Sequence, residues 1–343
     1  MIIDWVQKVL IVLLLFKPTT SLANDIYLNQ IGDDVTVTIT QDGENNKIGD
    51  LNNLSNKGLL GSLGPSTFSY TQTGNNNTLG IYNADIGDSS GSLTQTGDNN
   101  AAVMDCHGED CTMGITQLGD NNDAHTEAGS SYNHNSNTIT IYQKGDNNEA
   151  YAEADGDNNN LDSYQESDNN FSRVVVSGNN NAIKAWQGKH EDGTVDNDET
   201  GDNDVYWIVS GNNNTLESYQ TDDNGNGGQH IANYITGDNN DVKHTQRGAG
   251  DHQGFIEING DNNDVTLSQR GNTDDQFADI KLDDGHTVDV FQRYGSHTTN
   301  IDLTNAGGAY TLDLDQTGTT NKTYNLTGSC TNANGCGITI VQN

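Results

Sequence analysis

The chain has 343 residues, 31% of them hydrophobic, only two prolines and a formal net charge of −35. Such acidity excludes nucleic acid and anionic membrane as partners, because both repel it. Low hydrophobicity with high charge is also the composition of disordered chains, so periodicity has to decide between order and disorder.

Residues 1–23 differ from the rest. "VLIVLLLF" (9–16) follows Lys8 and precedes Lys17, Pro18 and the small residues "TTSLA". This pattern predicts a secretory signal cleaved after Ala23, with Ser21 and Ala23 as the small −3 and −1 residues. Eight apolar residues are too few to span a bilayer, so no membrane insertion is expected. The leader's Asp4, Lys8 and Lys17 together carry +1, which leaves the mature chain at −36. Residues 24–343 are expected as a single secreted domain, extracellular or at the cell surface.

After the leader, thirteen glutamines set a register: Gln41, Gln72, Gln95, Gln117, Gln143, Gln165, Gln187, Gln220, Gln246, Gln269, Gln292, Gln316 and Gln342. Their base period is 22–23 residues, and the excess length collects near 49–66, 188–203 and 221–230. The residues two and four before each glutamine are mostly apolar or small, as in Val37/Ile39, Met113/Ile115, Ile139/Ile141 and Val265/Leu267. Intervening positions are mostly Thr, Asp, Tyr, Lys or Ser. Period-two alternation predicts a strand with one buried and one wet face. Its recurrence at every glutamine argues against disorder.

Each strand runs into its glutamine, which therefore shares the inward face. An isolated buried amide would cost a few kcal/mol. Stacked in register at ~4.8 Å, however, each amide can donate to the oxygen of the next. The asparagines behave alike. Asn159, Asn181, Asn214, Asn240 and Asn263 fall inward in the pattern Asn-x-aliphatic-x-x-x-Gln, and Asn100, Asn122 and Asn148 recur in the turns after Gln95, Gln117 and Gln143.

Between strands sit Gly-Asp/Asn-Asn-Asn turns. Their glycines are Gly97, Gly119 and Gly145 at the corner after the glutamine, and Gly156, Gly178, Gly211, Gly237 and Gly260 at the corner before it. Glycine supplies positive φ, and Asn or Asp tolerates the left-handed region. The motif changes corner between residues 143 and 178. The predicted fold is all-β: a β-solenoid with two strands per ~22-residue rung, about 13 rungs and Asn/Gln ladders inside.

Four cysteines form two close pairs, Cys106–Cys111 and Cys330–Cys336. In a secreted chain each pair is expected to close a local disulfide. Metal ligation assisted by His107, Glu109 and Asp110 is the alternative, but it lacks a second Cys/His pair. The turn aspartates Asp98, Asp120, Asp146 and Asp168 would stack in one row, with Asp157, Asp238 and Asp261 at the opposite corner. They are weak metal candidates, and salt or bridging Ca²⁺ would relieve their repulsion. No cofactor is expected. The carboxylates recur as equivalents rather than converging, and of the nine histidines only His244 is expected to face inward. Neither pattern builds a catalytic site, so the chain is not expected to be an enzyme.

The residues resemble the curlin repeat of curli-type functional amyloid subunits, Ser-x5-Gln-x-Gly-x2-Asn-x-Ala-x3-Gln. Gln95/Gly97/Asn100/Ala102, Gln117/Gly119/Asn122/Ala124 and Gln143/Gly145/Asn148/Ala150 match its core. The second half appears at Gly156–Gln165, Gly178–Gln187, Gly211–Gln220, Gly237–Gln246 and Gly260–Gln269. The chain is unusually long and acidic for that family, and Cys106, Ala128 and Ala154 replace the second glutamine. The resemblance implies export through a curli-type outer-membrane apparatus and end-to-end polymerisation into extracellular fibres for adhesion and biofilm matrix. Its implied partners are the chain itself and a nucleator subunit. The alternative is a monomeric acidic β-solenoid binding divalent cations or a surface, such as an adhesin or a phage or other appendage component. Ice binding fits less well, because the outward positions vary (Asp162, Lys184, Glu217, Lys243, Asp289).

Overall fold

A computed structural model describes residues 11–14, 24–26, 29–31, 35–49, 58–61, 66–84, 89–106, 110–129, 136–188, 203–221, 228–248, 250–271, 275–282, 285–302, 310–328 and 335–342. The chain divides into two compact units, Met1–Asn159 and Asn160–Asn343. Every strand pairing described within them is parallel, and no helix occurs among the described residues.

In the first unit, five glutamine strands form one parallel sheet: Val35–Asp42, Ser66–Thr73, Ser89–Thr96, Thr112–Leu118 and Thr138–Lys144. Equivalent residues lie opposite one another, so Gln41, Gln72, Gln95, Gln117 and Gln143 stand in one column. The chain after each corner supplies a second parallel sheet, through Asp25–Ile26, Lys47–Ile48, Thr78–Ala84, Ala101–Asp105, Asp123–His125 and Glu149–Tyr151. One period thus gives one strand to each sheet, and the apolar half of each alternation is shut between them. Val37, Ile39, Leu93, Met113, Ile115, Ile139 and Ile141 are buried from one side, and Leu79, Ala102, Met104, Ala124 and Ala150 from the other. Gly91 takes an inward position because a Cβ there would press on Phe68 and Met104.

Two features of this unit go beyond the sequence reading. The extra length near 49–66 is not all loop, because its residues Gly58–Gly61 pair in parallel with Ile81–Ala84 and with Asn29–Ile31. Its Gly-Leu-Leu-Gly segment has few charges to keep it in solvent and extends the second sheet instead. Residues Ile11–Leu14, in the leader run, lie parallel along Val37–Thr40.

In the second unit, eight glutamine strands form the main sheet: Asn160–Glu166, Ala182–Gln187, Thr215–Thr221, Asp241–Arg247, Asp264–Arg270, Thr287–Arg293, Tyr310–Thr317 and Cys336–Gln342. Gln165 to Gln342 again form one column. The second side is weaker than two strands per rung predicts. Phe171–Arg173 pairs with Asp204–Tyr206, then only isolated bridges join Asn203, Gln229, His252 and Gln276 before Thr298–Asn300 meets Thr323–Asn325. Backbone at Val175 and Ile235 leaves the strand region, with φ of 94° and 41°. A β-branched residue is strained there, and regular pairing does not pass through it. The segments still alternate: Ile231, Ile235, Ile256, Ile258, Ala278, Ile280 and Leu282 are buried.

The insertions near 188–203 and 221–230 fall largely outside the described residues, as do His107, Glu109, His134, His190 and Cys330. Cys106 and Cys111 form the expected disulfide, and Cys336 is disulfide-bonded.

Candidate functional site

Each position of the Gly-Asp-Asn-Asn corner has its own physical task. Gly97 has a φ of 119°, and a Cβ on it would overlap the carbonyl oxygen of Gly119 on the next rung. Asp98 turns its carboxylate along the stack: Oδ1 accepts the Asn75 amide N–H at 2.7 Å, Asp120 Oδ1 accepts that of Asp98 at 2.7 Å, and Asp146 Oδ1 that of Asp120 at 2.7 Å. Asn99 and Asn121 take the left-handed conformation, with φ of 61° and 60°. Asn100 and Asn122 are buried.

Those buried asparagines relay bonds in both directions. Asn100 Nδ2 donates to Gly119 O at 2.7 Å, while its Oδ1 accepts the backbone N–H and the Nδ2 of Asn122, each at 3.0 Å. Asn148 repeats the contact with Asn122 Oδ1 at 3.0 and 3.1 Å. Asn159 does the same with Asn137 at the other corner, as Asn214 does with Asn181, Asn240 with Asn214 and Asn263 with Asn240. The pattern could have pointed to Asn46 and Asn77 as well, since each is the fourth residue of its turn; Asn77 N donates to Asn46 Oδ1 at 3.0 Å.

At the second unit's other corner the aspartates work alike. Asp238 Oδ1 accepts from Asn212 N and Asp261 Oδ1 from Asp238 N, both at 2.7 Å. Asp157 and Asp168 are half-buried turn residues. Among the described residues no three His, Cys, Asp or Glu side chains converge as a metal site requires. The aspartate oxygens of these rows serve neighbouring backbone instead. Turn glycines also need a correction. Gly119, Gly145, Gly156 and Gly237 have positive φ, but Gly178, Gly211 and Gly260 do not. At Gly178 and Gly211 the requirement is space, since a Cβ would overlap the carbonyl of Gly211 or Gly237.

The glutamine ladder has a direction. Gln41 Nε2 donates to Gln72 Oε1 at 2.7 Å, and Gln72 to Gln95, Gln95 to Gln117 and Gln117 to Gln143 at 2.8–2.9 Å. The second amide hydrogen reaches the opposite strand, for example Gln95 to Thr78 O at 3.1 Å and Gln117 to Ala101 O at 2.8 Å. In the second unit the same direction runs from Gln165 to Gln342. Thr299 joins it, bridging Gln292 Nε2 and Gln316 Oε1 through its hydroxyl.

The first glutamine of the first unit and the last of the second are each open in this chemistry. Gln41 Oε1 is buried without a partner among the described residues. In Cys336–Gln342 the inward residues Ile338, Ile340 and Gln342 are only half-buried, whereas Leu312, Leu314 and Gln316 one rung earlier are buried. Val341 is 58% exposed.

The second unit also buries histidines that the sequence did not place. His244 is inward as expected, but His252, His286 and His297 are buried too. His252 Nε2 lies 3.1 Å from Arg247 O, and His297 Nε2 2.9 Å from Arg293 O, at the corner position that Asn takes in the first unit. Burial holds the His244 imidazole down to a pKa of about 3, and both its nitrogens lack a hydrogen-bond partner among the described residues. His252 is also lowered, chiefly by burial and against its bond to Arg247 O.

Parallel rungs, stacked corners and continuous amide ladders define a β-solenoid of structural type. Residues 88–125 and 135–166 match the family model described as the curlin associated repeat. Those two segments are similar to the curlin associated repeat. No curated protein matches it.

Proposed function

We propose that the mature chain is a secreted curlin-like structural subunit that adds copies end to end into extracellular amyloid-like fibres for adhesion or biofilm matrix. The observation that carries this reading is the shared polarity of the glutamine columns in the two units. The first unit's column begins on a buried acceptor, Gln41 Oε1, and the second unit's ends on Gln342, whose amide is next in line to donate. A second copy stacked head to tail would pair these two groups and cover Ile338 and Ile340; a copy reversed end for end would set donor against donor.

An unpaired strand edge templates another chain. The Val35–Asp42 edge is one such template, and Ile11–Leu14 lies along it in the uncleaved chain, so leader removal is part of the reading. Export by a curli-type apparatus and priming by a nucleator subunit follow from the same assignment.

The test is fibre formation by chain 24–343. Thioflavin-binding fibres with a meridional reflection at about 4.7–4.8 Å are expected, forming faster with added salt or Ca²⁺ as the acidic surface is screened. A chain that stays monomeric at high salt and high concentration would replace this reading with that of a monomeric acidic solenoid binding cations or a surface.

A further inference from the structure

The chain contains four arginines, Arg173, Arg247, Arg270 and Arg293. Three of them stand in one column, Arg247 opposite Arg270 and Arg270 opposite Arg293, one residue past the ladder glutamine on successive rungs. Like charges directly opposite on neighbouring strands are destabilising. Two contacts turn these heads back over the outward face of the sheet: Arg270 Nε donates to Ser268 Oγ at 3.1 Å, and the Arg293 guanidinium lies 3.7 Å from the Phe291 ring centroid.

The other margin of the same face is acidic. Asp241 lies opposite Asp264 at the starts of their strands, and one outward position further along the strand Asp289 lies opposite Asp313, in the row that holds Lys243 and Thr266; all four aspartates are exposed. Burial, and then the neighbouring carboxylates, push the Asp241 and Asp289 carboxyls up. The face therefore carries an arginine column at one margin and, toward the other, two acidic pairs staggered by one outward position.

We propose that this outward face, from Asp241–Arg247 to Tyr310–Thr317, is a self-complementary surface that takes a second copy of the chain side by side, pointing in the same axial direction. The direction follows from symmetry. A two-fold axis parallel to the stack reverses the strands while keeping the rung order, which lays Arg247 and Arg270 of one copy on Asp241 and Asp264 of the other. A two-fold axis along the strands would lay arginine on arginine. The rung spacing of ~4.8 Å keeps these two pairs in phase, Arg293 falls on Thr287 beside Asp289, and the contact is isologous.

Four strands of seven residues cover about 400 Å² per copy, below the size of a stable interface. The contact is weak between single chains and adds up wherever copies repeat. It does not depend on end-to-end extension.

The experiment is fluorescence cross-correlation between two differently labelled populations of chain 24–343. At about 0.15 M salt the Debye length is near 8 Å, which screens the overall repulsion but leaves contact pairs. Wild-type chains are expected to co-diffuse there and to separate at about 1 M, where end-on extension would instead persist. Arg247→Asp/Arg270→Asp should lose at least tenfold of the salt-sensitive co-diffusion, and Asp241→Arg/Asp264→Arg likewise. Mixing the two variants should restore it, which misfolded chains could not do. A mixture no better than either variant alone overturns the proposal. So does an arginine variant that self-associates normally but loses binding of an added sulfated polysaccharide, which would assign the column to a free polyanion. Absence of thioflavin fibres leaves this outcome unaffected.

Discussion

The two units use one rung plan with different interiors. In Met1–Asn159 the buried side-chain atoms without a partner, among the described residues, are Gln41 Oε1 and the Tyr70 hydroxyl. In Asn160–Asn343 they include both nitrogens of His244, His252 Nδ1, Gln229 Oε1, Gln276 Oε1, both polar atoms of Asn233 and Trp207 Nε1. The difference shows what an amide ladder requires. Each side chain must donate along the stack and accept from it at a fixed reach, as Asn100 does between Asn77 and Asn122. A neutral imidazole has one donor and one acceptor on a rigid ring, and at His252 one nitrogen is used while the other is stranded. The second unit offsets these losses with larger apolar burial, including Trp207 and the isoleucines of the return segments.

The largest expected contrast comes from the corners. Gly119→Ala adds a left-handed φ strain to an overlap with Gly145 O, a loss of about 3 kcal/mol or more. Gly211→Ala adds the overlap without that strain and should cost less. Hydrogen exchange resolved by unit reads both, and equal costs would show that spacing alone decides.

Acid should separate the units next. His244 has a folded pKa of about 3 against an ordinary value of 6.5. Its contribution to stability is fully present above pH 6.5 and is lost as pH falls toward about 3, because the unfolded chain takes up the proton first. At a pH of about 4.5 the loss is about 3 kcal/mol, with His252 adding in the same direction. The second unit should therefore exchange faster than the first on acidification, and His244→Leu should flatten that response. Similar pH slopes in both units would sink this assignment.

Gln117→Leu breaks a satisfied column. Gln95 Nε2 keeps only Thr78 O, and Gln143 Oε1 loses the Gln117 donor, for about 2–3 kcal/mol. A His244→Leu variant stabilised by about 1–2 kcal/mol at neutral pH would complete the contrast, since it removes unpartnered polar atoms from a column that holds Leu267 one rung later. Smallest is Asn121→Ala, about 1 kcal/mol for a left-handed residue; Asn121→Gly should fall within about 0.5 kcal/mol of wild type. Chemical denaturation of single variants checks each value, and an Asn121→Ala cost equal to that of Gln117→Leu would break the ranking.

Much of this was legible in the sequence because the first unit keeps one spacing. Asn46, Asn77, Asn100, Asn122 and Asn148 each follow their glutamine by five residues. In the second unit the equivalent corner residues are Asn170, Asn203, Gln229, His252, Gln276 and His297, five to sixteen residues past theirs. Variable loops hid the column, and a change of residue type hid its chemistry. His244 was visible because strand alternation fixes its face, whereas His297 keeps the five-residue spacing from Gln292 but changes the residue type, and His252 changes both spacing and type. The shortened return strands were not legible either, since buried alternation continues through Ile256 and Ile258 without regular pairing. The role of Asp98 lay in a bond to backbone on another rung, which no residue pattern encodes.

Every ladder bond described above joins a rung to the one before or after it. The chain is therefore a series of interchangeable parts, and a fault should stay between two neighbours rather than spread through a common core. Gln95 and Gln117 are 22 residues apart. Excising 96–117 would bring Gln95 against Leu118, remove Cys106 and Cys111 together, and leave an intact column one step shorter. Length in such a protein can change by whole periods without redesigning anything inside it.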